Sequence, residues 1–191
     1  MLPEGTAPPE DIPEDIFGAA LGTFLECRRL DMRALSAELG ISRATLYRRV
    51  AGRDHLLGEV IWYLTRIALH RALTRAERRR GHRRVVAVIE SFMRDVHERP
   101  ALRRLLESEP EAALRILTSK EGPVQIGIVD TLRRVLEHEE ARGTVELGID
   151  AETMAYAIVR LGESFLYADV IADNRPDVGE AVELISRLLR R

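Results

Sequence analysis

Apolar residues recur every three or four positions along most of the chain, which is the spacing of one face of an α-helix. The first such segment predicts a helix over residues 13–28. Two short segments follow, each preceded by a residue that favours a helix N-terminus, Asp31 and Ser42. A break at Ala51-Gly52 then precedes a long helix that we expect over residues 53–79.

The same spacing continues through the second half of the chain. Two short segments, Pro100–Ser108 and Pro110–Thr118, each begin with a proline, which suits the first turn of a helix. Longer amphipathic helices are expected over residues 123–142 and 150–170, and a last helix after Asp177. No segment shows the alternation bounded by turns that indicates hairpin strands. The predicted fold class is therefore all-α.

Residues 31–57 join the two short helices by a tight turn. Gly40 lies in that turn, where a left-handed backbone conformation costs glycine little. The residues expected to lock the two helices together are apolar, namely Leu35, Leu39, Ile41 and Leu46. This arrangement predicts a helix-turn-helix whose second helix can place its N-terminal side chains in the major groove of DNA.

The side chains expected to contact DNA belong to this segment or to the start of the fourth helix. Arg43 suits the edge of a guanine, and Thr45 offers a hydroxyl and a methyl group. The other residues of the set are expected to contact phosphates or to allow the helix backbone to approach the DNA closely. The full predicted set is Arg33, Ser42, Arg43, Ala44, Thr45, Tyr47, Arg48, Arg49 and Arg53.

Charge is distributed unevenly along a chain whose net charge is only -2. Residues 1–25 carry -5, residues 26–84 carry +9 and residues 85–191 carry -6. A concentrated basic segment is typical of nucleic-acid binding. The alternative is a solvated arginine-rich surface, because arginine is the usual base of this chain and Lys120 is its only lysine.

The stretch from Ile16 to Leu57 resembles the DNA-binding domain of TetR-family regulators. Residues 34–47, ALSAELGISRATLY, follow the recognition unit of that family almost position by position, and residues 53–57 resemble its usual opening of helix four. Residues 162–171, GESFLYADVI, resemble the C-terminal domain of the QsdR-like subgroup. Arg28 and the pair Arg49-Val50 depart from the family pattern, which puts individual phosphate contacts in question.

The resemblance implies a ligand-responsive repressor that a small hydrophobic effector releases from a palindromic operator. Three prolines and Gly5 within residues 1–12 predict a flexible leader. The resemblance implies a DNA-binding domain (13–57, extending into helix four) and a helical regulatory and dimerisation domain (58–191). Residues 123–142 and 150–170 are expected to form the homodimer interface. An apolar cavity is implied as well. The residues expected to line it are Trp62, Tyr63, Phe92, Met93, Val96 and Phe165, although such side chains also suit an ordinary core.

Other chemistry finds little support in the residues. The five histidines show no pair at metal-ligand spacing, and no glycine-rich phosphate loop or nucleophile elbow is present, so we expect no metal, no cofactor and no catalysis. An enzyme would need an acid–base pair, for which Glu163 with Tyr156 or Tyr167 is the one candidate. The lone Cys27 and the lack of a long apolar run favour a cytoplasmic protein. The alternative function is a helical small-molecule-binding module without a DNA role.

Overall fold

The computed structural model describes residues 8–190, and every regular element in that range is an α-helix. The absence of strands there confirms the all-α prediction. Within the same residues, no helix combines the length and the hydropathy that a membrane-spanning segment needs. The helices are α1 (Glu14–Leu25), α2 (Met32–Glu38), α3 (Arg43–Val50), α4 (Arg53–Arg75), α5 (Gly81–His97), α6 (Pro100–Ser108), α7 (Pro110–Thr118), α8 (Pro123–Ala141), α9 (Ala151–Leu166), α10 (Ala168–Ala172) and α11 (Val178–Leu188).

The helix starts that prolines and capping residues predicted are confirmed. Helices α6 and α7 begin at their prolines, as predicted. The side chains of Asp150 and Asp177 accept hydrogen bonds from the first turns of α9 and α11. A side-chain cap satisfies backbone N–H groups that have no partner within the helix, and so it fixes where the helix starts.

Helix α1 is shorter than predicted, because it ends at Leu25 instead of residue 28. Cys27 adopts a left-handed conformation with φ of 56°. The N–H of Arg28 then reaches back to the carbonyl of Thr23 at 3.1 Å, which closes the helix end. Cys27 is half-buried and lies beyond the end of the helix.

Two other helices end earlier than their periodicity indicates. Helix α4 stops at Arg75, and the predicted extension to residue 79 is a turn. The segment predicted as one helix over residues 150–170 breaks at Tyr167, where φ is -112° and ψ is 21°. Apolar spacing continues across both breaks, so periodicity alone did not reveal them.

The chain divides into two compact units. The first comprises residues up to 67 together with 99–125, and the second comprises residues 68–98 together with the chain from 126 onward. In the first unit, α2 packs on α1 and α3, and α6 packs on α7. In the second unit, α11 packs on α5 and α9, which also contact each other. Helix α4 contributes residues to both units.

The predicted flexible leader lies only partly within the described residues. Residues 1–7 are outside them. Ile12 is buried in the first unit, so the ordered chain begins before α1. The division into domains 13–57 and 58–191 was made on function and stays a prediction.

Candidate nucleic-acid interface

The turn between α2 and α3 depends on Gly40. Its φ of 65° lies in the left-handed region, which confirms the conformation expected for this glycine. The N–H of Gly40 donates to the carbonyl of Ala37, and the N–H of Ile41 donates to the carbonyl of Ser36 at 3.1 Å. These two bonds end α2 and redirect the chain into α3, which gives the helix-turn-helix its angle.

Side-chain caps fix the start of both helices. Asp31 accepts hydrogen bonds from the backbone N–H groups of Ala34 (2.8 Å) and Arg33 (2.9 Å). The bond from Ala34 is the main reason that the pKa of Asp31 lies below its usual value. Ser42 accepts from the N–H of Thr45 at 3.1 Å, and the hydroxyls of these two residues are 2.9 Å apart. Both predicted caps are therefore confirmed.

One side of the helix-turn-helix is anchored in the first unit. Leu46 on α3 is 0% exposed and Val50, one turn further on, is also buried. Leu35 on α2 is buried as well, whereas Leu39 and Ile41 at the turn are half-buried. Burial of these side chains holds α3 in one rotation about its axis, so its opposite side is directed to solvent.

The solvent side of the helix-turn-helix carries most of the predicted DNA-contacting residues. We call it the recognition face. Thr45 is half-buried, and Tyr47 is 43% exposed, so its hydroxyl-bearing ring is accessible. The other exposed members of the face are Arg33, Ser42, Arg43, Ala44, Arg48 and Arg49. Apart from the half-buried Thr45, the side chains of this face are therefore open to a ligand.

The arginines of the recognition face differ from those around it in their partners. Among residues 8–190, no carboxylate lies within ion-pair distance of Arg33, Arg43, Arg48 or Arg49. By contrast, Arg28 pairs with Glu26 at 2.7 Å and Arg29 pairs with Glu109 at 3.4 Å. The recognition face thus presents four guanidinium groups whose charge no carboxylate in the described part of the chain neutralises, and guanidinium is the group that best matches phosphate and guanine geometry.

Arg53, the remaining predicted DNA contact, is engaged within the protein. Its Nε donates to the carbonyl of Leu30 and its Nη2 donates to Glu109 Oε1, both at 2.7 Å. The side chain is only 20% exposed. Arg53 therefore ties the loop before α2 to the start of α7 in the first unit. A phosphate contact would compete with both bonds, and we leave Arg53 out of the proposed interface.

The structure divides the basic segment that the sequence presented as one. Residues 26–67, in the first unit, carry a net charge of +3. Residues 68–84, at the end of α4 and the start of α5 in the second unit, carry +6. We call this second stretch the basic junction. Most of the positive charge that was interpreted as a footprint of nucleic-acid binding lies outside the helix-turn-helix.

The residues predicted to line an effector cavity belong to both units. In the first unit, the Tyr63 ring packs edge-on against Phe17 with ring centroids 5.4 Å apart. The guanidinium of Arg66 lies 5.8 Å from the centroid of the Trp62 ring and 5.9 Å from that of Tyr63. These contacts are the ordinary packing that was the alternative interpretation for both aromatic residues, and their role in a cavity stays a prediction.

The other predicted lining residues lie in the second unit. Phe92 is half-buried against a small cluster of buried alanines and Val88. Met93 and Val96 are buried, and Phe165 is half-buried. The sulfur of Met93 would lie 3.6 Å from a Cβ at Gly162, so α5 and α9 meet closely there, although alanine would also fit. None of these four residues lines the cavity of ≈ 590 Å³ found in this unit.

The residues proposed as an acid–base pair differ in burial, since Glu163 and Tyr167 are buried and Tyr156 is exposed. Glu163 is buried, and burial raises its pKa to about 7, although Arg160 at 2.9 Å opposes the shift. Burial also raises the pKa of Tyr167, and the charge of Glu163 adds to the effect. Tyr156 is exposed, with the guanidinium of Arg160 6.0 Å from the centroid of its ring. Within residues 8–190, no group of three or more potential metal-ligating side chains is assembled.

One buried charged site was not anticipated. Glu139 lies between His138 and Glu140 in a run of polar residues that is typical of a surface, but its side chain is 1% exposed. It accepts hydrogen bonds from the N–H of Gly81 at 2.6 Å, from the guanidinium of Arg84 at 2.7 Å and from the hydroxyl of Thr144 at 2.8 Å. Burial alone would raise the pKa of Glu139, yet these three donors together lower it. The site links α8 to α5 within the second unit.

Comparisons with known proteins agree with this geometry. Residues 80–190 match the family model described as the tetracyclin repressor-like C-terminal domain. No curated protein matches the chain. Among solved structures, the transcriptional repressor QsdR of R. erythropolis is 27% identical with a TM-score of 0.83, over 93% of this chain and 96% of that one. The repressor AlkX of Dietzia sp. strain DQ12-45-1b, implicated in biodegradation of n-alkanes, is 25% identical with a TM-score of 0.62, over 92% and 93%.

A third structure, FadR of Bacillus subtilis in complex with stearoyl-CoA, is similar in fold alone. It is 14% identical with a TM-score of 0.59, over 92% of this chain and 96% of that one. An all-helical chain with a helix-turn-helix near its N-terminus, similar over its length to known repressors, is a helix-turn-helix transcription regulator. The chain belongs to the TetR family.

Proposed function

We propose that the protein is a repressor that binds a palindromic operator through the recognition face and is released by a small hydrophobic effector. The observation that supports DNA binding is the set of four arginines on an exposed helix-turn-helix with no ion-pair partner among residues 8–190. A buried or neutralised face would have to rearrange before binding, whereas this one is already accessible. Its charge supplies the salt-dependent attraction to phosphates on which such affinity depends.

The proposed contacts divide by chemistry. Arg43, in the first turn of α3, bonds the O6 and N7 atoms of a guanine, and Thr45 contacts a neighbouring base edge. Ala44 permits close approach of the helix, because its side chain is small. Ser42, whose hydroxyl already caps α3, bonds a phosphate at the positive end of the helix. The remaining contacts to phosphates come from Arg33, Tyr47, Arg48 and Arg49.

We propose a homodimer because one recognition helix reads too few base pairs for selectivity, and two-fold pairing reads a palindrome. Helices α8 and α9 carry the interface in this proposal. Ile126 on α8 and Tyr156 on α9 are large side chains with about half of their surface exposed, at 54% and 52%. Burying them against a second copy removes apolar surface from water, which favours association.

We propose that the effector binds among apolar side chains of α5 and α9 in the second unit. Phe92, Met93, Val96 and Phe165 are all buried or half-buried in that unit, so an occupant held by them would be largely apolar. In this proposal the effector binds more tightly to dimers whose two recognition helices are not spaced one DNA turn apart. Its binding therefore shifts the population of dimers away from the conformation that fits the operator. Operator release then follows from differential affinity.

Footprinting on DNA upstream of the protein's own gene tests the proposed function. We expect two protected half-sites whose centres lie about 34–36 Å, or a multiple of one helical turn, apart. A scrambled sequence of the same length is the control and should show only weak, uniform protection. If neither DNA is protected at low salt, the alternative of a helical small-molecule-binding module without a DNA role replaces this proposal.

A further inference from the structure

A surface cavity in the second unit is lined by arginines of the basic junction. The DNA-binding proposal does not involve these arginines. The cavity has a volume of ≈ 590 Å³ and lies between α5 and α11, which pack on each other. Arg79 and Arg83 line it from the basic junction, and Arg190 lines it from the residues after α11. Three guanidinium groups from two distant parts of the sequence therefore border one space.

These three arginines are not neutralised within the described part of the chain. No carboxylate of residues 8–190 lies within ion-pair distance of Arg79, Arg83 or Arg190. Two other arginines of the basic junction are paired, Arg75 with Asp95 at 3.2 Å and Arg84 with Glu139 at 2.7 Å. With respect to residues 8–190, the guanidinium groups of Arg79, Arg83 and Arg190 are thus available to an anion at the cavity.

The acidic residue at the cavity does not cancel this charge. Glu90 contributes to the lining, but its Oε1 lies 2.9 Å from Nη2 of Arg94, one helical turn along α5. The carboxylate is therefore held by its own partner. The net charge of the lining side chains stays positive.

The remaining walls are fixed and partly apolar. Nε2 of His82 lies 2.9 Å from the carbonyl oxygen of Ser186, and this bond requires the ring to donate. The Ser186 hydroxyl is 3.2 Å from the same nitrogen, and Ser186 is only 6% exposed. Val86 and Ala87 supply an apolar surface beside these polar groups. The cavity therefore has an apolar surface that can contact the carbon skeleton of a ligand and cations that can bind its anionic group.

We propose that this cavity binds a small organic phosphate, whose phosphate oxygens accept from Arg79, Arg83 and Arg190 while its carbon skeleton lies on Val86 and Ala87. Guanidinium groups pair with phosphate in a bidentate geometry, which favours phosphate over a simple halide. The volume falls within the range of about 300–1,000 Å³ typical of small-molecule sites. The site is separate from the recognition face and from the predicted effector cavity, so the inference goes beyond the proposed function.

Calorimetric titration of the full-length protein with phenyl phosphate tests the proposal, at about physiological ionic strength so that diffuse surface attraction is screened. Benzoate, titrated in parallel, distinguishes phosphate recognition from recognition of any organic anion. We expect the double variant Arg79→Gln/Arg83→Gln to bind phenyl phosphate at least about tenfold more weakly, since two charge-assisted contacts are lost. Both side chains are exposed, and circular dichroism should show an unchanged helix content.

The double variant Arg78→Gln/Arg80→Gln is the matched control. It removes the same charge from the same run of sequence, but neither residue lines the cavity. The control should bind phenyl phosphate within about twofold of the unchanged protein, because only screened long-range attraction is altered. Arg43→Ala should bind it equally well, so that failure of this proposal and failure of the DNA-binding proposal are separable.

Three results would overturn the proposal. They are the absence of phenyl phosphate binding, equal weakening in the two double variants, and benzoate affinity equal to that of phenyl phosphate. A random-sequence duplex that loses affinity in Arg79→Gln/Arg83→Gln while phenyl phosphate fails to bind would assign the surface to nucleic acid instead.

Discussion

Replacing Arg43 with alanine is expected to abolish sequence-specific operator binding without unfolding the protein. Arg43 is exposed in the first turn of α3 and no carboxylate of the described chain neutralises it, so its removal breaks no contact that holds the fold. A bidentate contact to guanine contributes about 1–3 kcal/mol of discrimination. A two-fold dimer loses that contact twice, which amounts to about 2–6 kcal/mol. Fluorescence anisotropy with the footprinted DNA measures the loss.

The matched control for Arg43 is Arg28→Ala. Arg28 is also an exposed arginine of the first unit, but it is paired with Glu26 and lies outside the recognition face. We expect its operator affinity to change by less than about threefold, because only a screened surface charge is removed. Unchanged melting temperatures in both variants would exclude unfolding as the cause. Retention of operator affinity by Arg43→Ala would refute the assigned role of α3.

The largest expected effect on stability comes from Glu139→Ala. The substitution leaves the N–H of Gly81, the hydroxyl of Thr144 and the guanidinium of Arg84 without the acceptor they share in the interior. Breaking a buried ion pair by removing one partner costs about 3–5 kcal/mol. Urea denaturation should show this decrease in the free energy of unfolding. Glu140→Ala is the control, since Glu140 is exposed, and should change that free energy by no more than about 0.5 kcal/mol.

Glu139 also predicts how stability depends on pH. Its pKa is lower in the folded protein than the ordinary value of 4.5. The stability that its hydrogen bonds provide is therefore complete above pH 4.5 and is lost as the pH falls through the folded-state pKa. Glu139→Gln has no titrating group there, so its curve of unfolding free energy against pH should be flatter below 4.5 than that of the unchanged protein. Identical curves would show that Glu139 does not hold a depressed pKa.

Most of the fold and the recognition face could be predicted from the sequence because their signals are local. Asp31 and Ser42 cap the residues directly after them, and Gly40 adopts the left-handed conformation that the turn needs. Prolines begin α6 and α7 at the predicted positions. Each of these features depends on three or four neighbouring residues, so an amphipathic pattern with caps and turn residues was sufficient to locate them.

Features that depend on distant residues could not be predicted in the same way. Glu139 is 58 residues from Gly81, and Arg53 is 56 residues from Glu109. A charged residue next to other charged residues indicates a surface, and only the packing of α8 on α5 reverses that interpretation for Glu139. The structure explains why a glycine stands at position 81, because its φ is 57° and a Cβ there would lie 2.6 Å from the carbonyl oxygen of Thr144. The sequence could not identify the acceptor of its N–H.

The net charge of a sequence segment also failed to show where its arginines lie in the fold. The +9 segment is continuous in sequence, yet its larger share lies at the basic junction in the second unit. Only the contacts show that Arg33, Arg43, Arg48 and Arg49 lack ion pairs within the residues the structure describes, whereas Arg53 is held by Leu30 and Glu109. Whether an arginine is available to bind DNA thus depends on whether a carboxylate of the protein already pairs with it. The net charge of a segment does not show this pairing.

The recognition face is tested most directly by the salt dependence of operator affinity, compared between the unchanged protein and Arg48→Ala/Arg49→Ala. A protein that holds DNA through unpaired arginines should lose affinity steeply as salt rises, and each phosphate contact removed should reduce the slope of log affinity against log salt by about 0.9. We expect the variant to show this shallower slope with the same helix content. A flat dependence for the unchanged protein, or identical slopes for the two, would contradict the claim that this face binds DNA.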